Sequence, residues 1–442
     1  MLDIGFISLG CAKNQVDTEI MMGLLKKAGH RIVNTLPRSE LIIINTCAFI
    51  DAAKEEAIQQ IIEIGGLKRG GGLRWLIVTG CLPQLHAQEL LDELPELDAV
   101  VGVAHFTDIV SIVERVKAGQ RICCSGVLPT TFIEKGPRLL STPPGFAYLK
   151  IADGCDNRCT YCAIPTIRGR LRSRIVEELI TEATELVKKD GVRELILIAQ
   201  DTAHYGWDLF GYTLLPDLLA GLDGIAGLEW LRLMYLHPAH VDDSIIEAMQ
   251  SCSKLLPYLD VPIQHAADPI LQRMNRRHDQ TALRQLLLRL RSALPGLVLR
   301  TTVMLGFPGE TEEDFQALYD LVAEVEFDWL GAFSYSAQDS TPAAVMDLQV
   351  DPDLTQQRLE KILALQQEIT KRKNLQRIGQ RERVLVTSRV SRHLYAGRAC
   401  FQAPEVDGLS LIKCRQAIKL GDMVEIHYEG LRDYDLIGEL VE

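Results

Sequence analysis

The sequence has no apolar run that approaches the roughly 18 residues a membrane-spanning helix requires, so we expect no membrane partner. Its N-terminal segment, MLDIGFISLG, has no basic leader and carries Asp3, which predicts a buried strand rather than a signal peptide. Without export the protein should remain cytoplasmic, where disulfides are rare. The 11 cysteines are therefore expected to bind metal or to remain free thiols.

The sequence is also short of basic residues for a typical nucleic-acid-binding protein. It has 47 Lys and Arg against 59 Asp and Glu, a formal net charge of −12. Nucleic-acid binders usually carry a basic footprint, because contacts to phosphate dominate their affinity. The charge balance favours a basic or neutral protein substrate, although one local basic patch would be sufficient for RNA.

Three apolar runs in the first third of the chain each end in a cysteine. They are IGFISLGC, LIIINTC and WLIVTGC, which end at Cys11, Cys47 and Cys81. Amphipathic segments follow, and this alternation of strand and helix predicts a parallel sheet with right-handed crossovers. Because the carboxyl ends of parallel strands meet at one edge, where ligands bind, the three cysteines should converge there.

A second series of strands and helices begins at Phe146, and the pattern changes again near Arg381. Six apolar strands, from FAYLKIA to WLGAFSYSA, predict a partial (β/α)6 TIM-like barrel with its chemistry at the C-terminal strand ends. Five short strands in the tail predict a small antiparallel β-barrel. We thus predict an α/β multidomain chain: an N-terminal parallel α/β domain (1–133), a linker (134–145), the partial barrel (146–352), a connecting helix (353–380) and the β-barrel (381–442).

The segment DGCDNRCTYCAIP contains the pattern CxxxCxxC, formed by Cys155, Cys159 and Cys162. Thiolates bind soft metals, and iron–sulfur clusters are held mainly by cysteine. Three cysteines can hold three corners of a cubane cluster, which leaves the fourth iron open to a substrate or cofactor. Zinc is the alternative, but structural zinc sites normally have four ligands. The fourth zinc ligand would then come from a histidine: His204, His237 or His265.

The cysteine loop resembles that of the radical S-adenosylmethionine (SAM) enzymes, and nearly the whole chain resembles the methylthiotransferases of that superfamily. SLGCAKNQVDTE, NTCAF and TGC are similar to the N-terminal cluster domain of the family. GCDNRCTYCAIP, RGRLRSR and TTVMLGFPGETEEDF are similar to its radical SAM core, and the tail is similar to its TRAM domain.

The resemblance implies two 4Fe–4S clusters. Cys155, Cys159 and Cys162 would hold the SAM-binding cluster, and an auxiliary cluster would be held by Cys11, Cys47 and Cys81. An electron from the first cluster would split SAM to give a 5′-deoxyadenosyl radical. The auxiliary cluster would present sulfur to the substrate carbon, and a further SAM would supply the methyl group.

Three segments are similar to the branch of the family that methylthiolates the β-carbon of an aspartate in small-subunit ribosomal protein uS12, giving 3-methylthioaspartate. They are LIAQDTAHYG, RLMYLHPAHVDD and YLDVPIQHAADPILQRMNR. From Phe401 to Glu442 there are four basic and nine acidic residues, which suits a basic protein better than tRNA, although Arg381–Cys400 is basic.

The sequence leaves two alternative functions open. One, within the same family, is a tRNA adenosine (2-methylthio) methylthiotransferase. The other, from a different class of protein, is a non-catalytic electron carrier with two clusters. The sequence identifies neither the reductant nor the sulfur donor.

Outside the cysteines, we predict contacts to SAM from Tyr161, Arg170, Gln200 and Asp201. Gln200 and Asp201 end a barrel strand, and simple strand-end capping is the alternative for them. The segment GFPGET (Gly306–Thr311) either shapes the SAM site or starts a helix. No catalytic residue is assigned beyond the cluster ligands.

Four arginines alternate after the cysteine loop: Arg168, Arg170, Arg172 and Arg174. Guanidinium groups bind carboxylates in bidentate fashion, so these residues are candidates to hold SAM or the target aspartate. The alternative is a solvated loop and the start of a helix. For His237 and His265, a hydrogen-bonded histidine is favoured over a metal ligand. Asp17 and Glu19 are interpreted as helix-starting residues.

Overall fold

The structure is a computed structural model that describes residues 1–35, 38–133 and 135–441. It divides into two compact units: unit 1 is Met1–Ser141, Ala152–Ser173 and Ser336–Ala344, and unit 2 is Thr142–Ile151, Arg174–Tyr335 and Val345–Glu442. Glu134, where the predicted linker begins, and Glu442, where the predicted β-barrel domain ends, lie outside the described residues. None of the described helices is both long and apolar enough to cross a bilayer.

The sheet of unit 1 is parallel and has six strands: β1 (Asp3–Ser8), β2 (Arg31–Val33), β3 (Leu41–Thr46), β4 (Trp75–Gly80), β5 (Ala99–Gly102) and β6 (Ile122–Cys124). Their spatial order is β2-β1-β3-β4-β5-β6. Every residue of β3 is buried, as expected for a central strand of a parallel sheet. The predicted parallel α/β architecture is confirmed. The two edge strands have only three residues each, too few to stand out in the sequence.

The helices of unit 1 are α1 (Ala12–Lys27), α2 (Asp51–Arg69), α3 (Cys81–Glu93), α4 (Ile109–Lys117) and the short α5 (Ile164–Ile167). Cys11 immediately precedes α1, Cys47 follows the last residue of β3, and Cys81 is the first residue of α3. Since β1, β3 and β4 are neighbours in the sheet, the three cysteines lie at one carboxyl edge, as predicted.

A two-stranded antiparallel ladder, β8 (Ala152–Asp153) and β9 (Arg172–Ser173), brackets the CxxxCxxC loop. Within this loop Ala163 and Ile167 are buried in the same hydrophobic core as Ile42 of β3 and Val78 of β4. The loop with the second set of cysteines therefore packs on the core of the N-terminal sheet.

The central sheet of unit 2 is also parallel and has six strands: β7 (Phe146–Lys150), β10 (Glu194–Ile198), β11 (Trp230–Leu233), β12 (Leu255–Asp260), β13 (Val298–Leu305) and β14 (Trp329–Ser334). They lie in sequence order from β7 to β14. The helices are α6 (Val176–Asp190), α7 (Trp207–Phe210), α8 (Leu215–Asp223), α9 (Asp243–Ser251), α10 (Asp268–Arg273), α11 (Gln280–Ala293), α12 (Glu312–Val325) and α13 (Pro352–Leu375). The predicted partial (β/α)6 barrel is confirmed.

The C-terminal strands form a closed barrel: β15 (Arg381–Ser391), β16 (Leu394–Ala399), β17 (Ser410–Lys413), β18 (Met423–Arg432) and β19 (Asp435–Leu440). The predicted small barrel is confirmed, with one difference. β17 and β19 pair in parallel, whereas the other four pairs are antiparallel. A ring of five strands cannot alternate direction throughout, so closure requires one parallel pair.

Glu194, the first residue of β10, joins the β-barrel to the central sheet through a buried ion-pair network. Nε of Arg232 in β11 donates to its carboxylate at 2.8 Å, and Arg398 of β16 donates to the other oxygen. All three side chains are at most 2% exposed. Burial raises the pKa of Glu194, but the guanidinium groups of Arg398 and Arg232 lower it by more, so the net pKa is below its ordinary value and the carboxylate stays charged.

We expect Glu194→Ala to lower the free energy of unfolding by about 3–5 kcal/mol, because two buried guanidinium groups then lack their carboxylate. The matched control is Glu185→Ala. That carboxylate is exposed and pairs with Lys189 at 2.9 Å, so its loss should cost less than about 1 kcal/mol. Urea unfolding of the cluster-free protein, followed by tryptophan fluorescence, measures both. Equal losses in the two variants would contradict this role of Glu194.

Candidate functional site

The first set of cysteines, which we call the N-terminal triad (Cys11, Cys47 and Cys81), is brought together at the edge of the unit 1 sheet. Gly10 has a φ of +91°, and a Cβ placed on it would lie 2.7 Å from Cβ of Cys47. Cys81 is buried, Cys47 half-buried and Cys11 exposed. Cys11 is therefore open to the surface, whereas Cys81 is enclosed by the protein.

Burial governs the acid–base state of the two inner thiols. It raises the pKa of Cys81 to about 12 and also raises the pKa of Cys47, while Arg168 acts in the opposite direction on both. Without a metal these thiols are protonated. Since only thiolates ligate metals, loading of the triad must release protons.

Two asparagines that the sequence reasoning overlooked hold the triad in place. The amide of Asn14 donates to the carbonyls of Leu9 and Thr46, at 3.1 and 2.9 Å. The amide of Asn45 donates to the carbonyl of Asn14 at 2.8 Å and to Oγ1 of Thr18 at 3.0 Å. These bonds cross-link the segments that carry Cys11 and Cys47. The signal in the sequence is a run of polar residues, AKNQVDTE, on a helix that turns out to be buried.

The second set, the loop triad (Cys155, Cys159 and Cys162), is half-buried in a tightly wound loop. Gly154 has a φ of +78°, and a Cβ there would lie 2.0 Å from the carbonyl oxygen of Arg170. The backbone N–H of Cys155 donates to Gly169 O at 3.0 Å, and that of Cys162 donates to Cys159 O at 3.1 Å. The N–H of Asn157 points at Sγ of Cys155, at 3.5 Å. Only glycine fits at position 154, which explains the DGC motif.

Arg168 connects the surroundings of the two triads within unit 1. Its guanidinium lies 3.7 Å from Sγ of Cys81 and contacts Oδ1 of Asn14. It also forms ion pairs with Asp17 at 3.0 Å and with Asp153, two residues before Cys155, at 2.7 Å. Burial lowers the pKa of Arg168, but the neighbouring acidic groups, chiefly the carboxylates of Asp153 and Asp17, together raise it by more, so the buried guanidinium stays charged.

The alternating arginines differ sharply from one another. Arg168 and Arg172 are 2% exposed and Arg174 is 9% exposed, so a solvated loop is the wrong interpretation for these three. Arg172 donates to the carbonyls of Arg168 and Arg170, at 2.6 and 3.3 Å, and Arg174 pairs with Glu182 at 2.6 Å. Arg170, the predicted SAM contact, has a side chain that is 84% exposed and lies 3.4 Å from Asp156.

The other predicted SAM contacts are divided between the units. Tyr161 lies in the loop of unit 1 and is buried. Gln200 and Asp201 lie two and three residues after the end of β10 in unit 2. Asp201 is buried, accepts the backbone N–H of His237 at 3.2 Å and contacts Nδ1 of His240 at 2.6 Å. Their contacts to SAM remain predictions.

Atoms that could ligate a metal ion lie within 4.8 Å of one another in a group of three side chains, Asp201, His237 and His240. However, Nδ1 of His237 accepts the N–H of Ala239, and burial together with nearby Arg276 lowers the pKa of His237 well below its ordinary value. A neighbouring guanidinium disfavours a bound cation. The hydrogen-bonded interpretation of His237 therefore agrees with this geometry, and so does that of His265, whose Nδ1 accepts the N–H of Ala267 at 3.1 Å.

The segment Gly306–Thr311 starts a helix. Thr311 caps α12 and exchanges hydrogen bonds with Asp314 in a capping box. The N–H of Gly306 donates to the buried carboxylate of Glu310 at 2.8 Å, and Arg358 pairs with that carboxylate at the same distance. A further role of this turn toward SAM stays a prediction.

The donor chemistry of both triads fits iron–sulfur clusters. Each triad offers three thiols from a firmly held backbone, and cysteine is the ligand that such clusters require. The guanidinium of Arg168 lies beside the buried member of the N-terminal triad, where ligated thiolates would accumulate negative charge. The residues present therefore fit one cubane at each triad with one iron left unligated by protein.

Three segments of the chain match known family models, and the fold matches solved structures. Residues 3–102 match the uncharacterized protein family UPF0004, residues 149–322 the radical SAM superfamily, and residues 378–441 the TRAM domain. Among solved structures, the radical SAM methyltransferase TsrM from Kitasatospora setae superposes with a TM-score of 0.58 over 78% of this chain and 75% of its own, at 13% identity. The cobalamin-dependent SAM radical enzyme OxsB gives 0.56 over 82% of this chain and 56% of its own, at 14% identity. These likenesses concern the fold alone.

Curated relatives are much more similar in sequence. The ribosomal protein uS12 methylthiotransferase RimO of Syntrophomonas wolfei is 53% identical over 99% of this chain and 100% of its own. The proteins of the same name from Pelotomaculum thermopropionicum and Clostridioides difficile are 46% and 41% identical, each over 100% of this chain and 99% of their own. A non-catalytic electron carrier is thereby disfavoured. The chain belongs to the RimO family of radical SAM methylthiotransferases.

Proposed function

We propose that this protein methylthiolates the β-carbon of an aspartate in small-subunit ribosomal protein uS12, using SAM and two 4Fe–4S clusters. The loop triad would hold the SAM-binding cluster, and the N-terminal triad would hold the auxiliary cluster. The relatives named above act on uS12, and the chain is covered by them from end to end. Modification of a ribosomal protein also implies a cytoplasmic enzyme.

The observation that carries the proposal is the position of Arg168. This one buried side chain contacts Sγ of Cys81 in the N-terminal triad and, through Asp153, the strand that leads into the loop triad. Two metal centres held by these triads would be neighbours in one compact unit. Neighbouring centres suit a reaction in which a radical forms at a carbon and sulfur is delivered to the same carbon.

When bound, the two clusters and SAM would supply the electron, the hydrogen-abstracting radical, the sulfur and the methyl group. The residues of the chain bind and orient these groups. Three thiols in each triad would hold its cluster and would leave one iron without a protein ligand. The N–H of Asn157 donates toward Sγ of Cys155, and Arg168 offsets negative charge at Cys81. Burial of Cys81 keeps water away from the inner side of the auxiliary centre.

The charge of the chain supports a protein substrate over tRNA. A net charge of −12 opposes phosphate binding but suits a basic ribosomal protein. The immediate reductant and sulfur donor are partners of unassigned identity.

The test is a direct comparison of two substrates. Anaerobically reconstituted and reduced protein is incubated with SAM and either small ribosomal subunits or tRNA from a strain lacking the enzyme. Mass spectrometry should find one methylthio group on a uS12 aspartate and none on tRNA. The Cys159→Ala variant should form neither 5′-deoxyadenosine nor product. A methylthio group on tRNA with uS12 unchanged would overturn the proposal.

A further inference from the structure

The segment between β10 and α8 exposes an unusual number of large apolar side chains. We call it the aromatic loop (Tyr205–Leu214); it contains the short helix α7. Within six residues, the exposed fractions are 49% for Trp207, 42% for Leu209, 58% for Phe210 and 54% for Tyr212. Soluble surfaces rarely expose contiguous apolar side chains of this size unless they contact a partner.

The aromatic loop is held rigidly despite its exposure. Its ends are joined by the N–H of Leu214, which donates to Tyr205 O at 2.8 Å. Tyr205 is fully buried, and its hydroxyl donates to the carbonyl of Arg174 at 2.7 Å. Gly206 has a φ of +89°, and a Cβ there would lie 2.4 Å from Cγ of Leu214. A loop fixed in this way presents its aromatic rings with little entropic cost on binding.

The aromatic loop continues from the carboxyl end of the barrel strands. The ring of Trp207 stacks on His204 with centroids 5.1 Å apart, and His204 stacks on His240 at 4.1 Å. His240 in turn contacts Asp201, three residues after the end of β10. In parallel α/β barrels this end of the strands carries the chemistry. A partner seated on the loop would therefore lie beside the reacting end of the barrel.

The charge of this region selects the kind of partner. From Asp201 to Leu231 the sequence has no lysine or arginine, but it has five acidic residues. Asp208 lies in α7 within the loop, and Asp217 lies in the first turn of α8 directly after it; both are exposed. The nearby Arg174 is buried and paired with Glu182. An RNA surface needs cations to pair with phosphate, and this segment has none. Aromatic rings beside carboxylates instead favour lysine and arginine side chains, through cation–π contact and ion pairing.

We propose that the aromatic loop is the docking surface for the basic protein substrate, which it holds through surface lysine and arginine residues next to the target aspartate. This inference rests on the proposed function, because the occupant is the substrate protein itself. Phe210 and Tyr212, whose ring centroids lie 6.0 Å apart, would be the main anchors.

The test uses the double variant Phe210→Ser/Tyr212→Ser with both clusters loaded. Its affinity for purified uS12, measured anaerobically by fluorescence anisotropy, should fall by at least about tenfold relative to the parent protein. Formation of 5′-deoxyadenosine from SAM alone should not change, since neither residue belongs to the cluster sites. Leu288→Ser is the matched control: Leu288 is 59% exposed on α11, and its loss should leave affinity unchanged.

Three results would count against the docking surface, and they separate it from the proposed function. If the parent protein modifies uS12 and the double variant binds uS12 equally well, the loop is not the docking surface but the function stands. If the double variant and Leu288→Ser lose affinity alike, the effect is general and the loop has no special role. If the parent protein binds tRNA but not uS12, and the double variant loses tRNA binding, both proposals fail.

Discussion

Replacement of the N-terminal triad by alanine, in the variant Cys11→Ala/Cys47→Ala/Cys81→Ala, should abolish methylthiolation while SAM cleavage survives. Iron in the reconstituted protein should fall from about eight atoms to about four per chain, because one of two cubanes loses all its ligands. The loop triad is untouched, so 5′-deoxyadenosine should still form. Iron analysis measures the iron content, and chromatography measures the 5′-deoxyadenosine. Mass spectrometry of uS12 measures the methylthio product.

The matched control for this experiment is Cys123→Ala/Cys124→Ala. These cysteines lie in the edge strand β6 of the same unit, and we assign them no ligand role. The control should keep its full iron content and activity. If the triad variant still transferred a methylthio group, or if the control lost as much iron as the triad variant, the assignment of the auxiliary cluster would be wrong.

Replacement of Arg168 by leucine should be among the single changes that most destabilise unit 1. It removes the cation that pairs with the buried carboxylates of Asp17 and Asp153. Removal of one partner from a buried ion pair lowers the free energy of unfolding by about 3–5 kcal/mol. The variant should also lose iron from the N-terminal triad faster on chelation, because the N–H donor near Cys81 is gone. Urea unfolding of the cluster-free protein and timed iron release measure the two effects.

Arg170→Leu is the natural comparison, since Arg170 is two residues away and its side chain is 84% exposed. Its effect on unfolding should stay within about 0.5 kcal/mol. Should Arg168→Leu fail to accumulate, Arg168→Lys keeps the charge and should recover part of the stability. An Arg168→Leu variant as stable as Arg170→Leu would contradict the role we give to this guanidinium.

The sequence predicts the architecture well because the strong signals in it are local. Runs such as LIIINT and ELILI are long, apolar and rich in β-branched residues, so both parallel sheets follow from the pattern of strands and helices. The convergence of the N-terminal triad follows from topology alone, since each cysteine follows a strand and the three strands are neighbours in the sheet. The domain boundaries drawn from composition stay predictions.

The environment of the triads was not predictable in the same way, because it depends on pairs far apart in the chain. Asp17 and Glu19 look like ordinary helix-starting residues, yet both are buried, and Glu19 pairs with Arg138 across 119 positions. Arg168 meets Asn14 across 154 positions. Charged residues are rarely buried unless paired, and a sequence does not reveal which distant partner is available. Likewise, the parallel pair in the β-barrel follows from closure rather than from either strand.

We propose that two iron–sulfur centres are neighbours within unit 1. Electron paramagnetic resonance of the reduced, reconstituted protein tests it most directly. We predict spectra broadened by interaction between two paramagnetic clusters, and loss of this broadening in the Cys11→Ala/Cys47→Ala/Cys81→Ala variant. A parent spectrum equal to the simple sum of two isolated clusters, or a spectrum of one cluster alone, would show that the two triads do not hold neighbouring clusters.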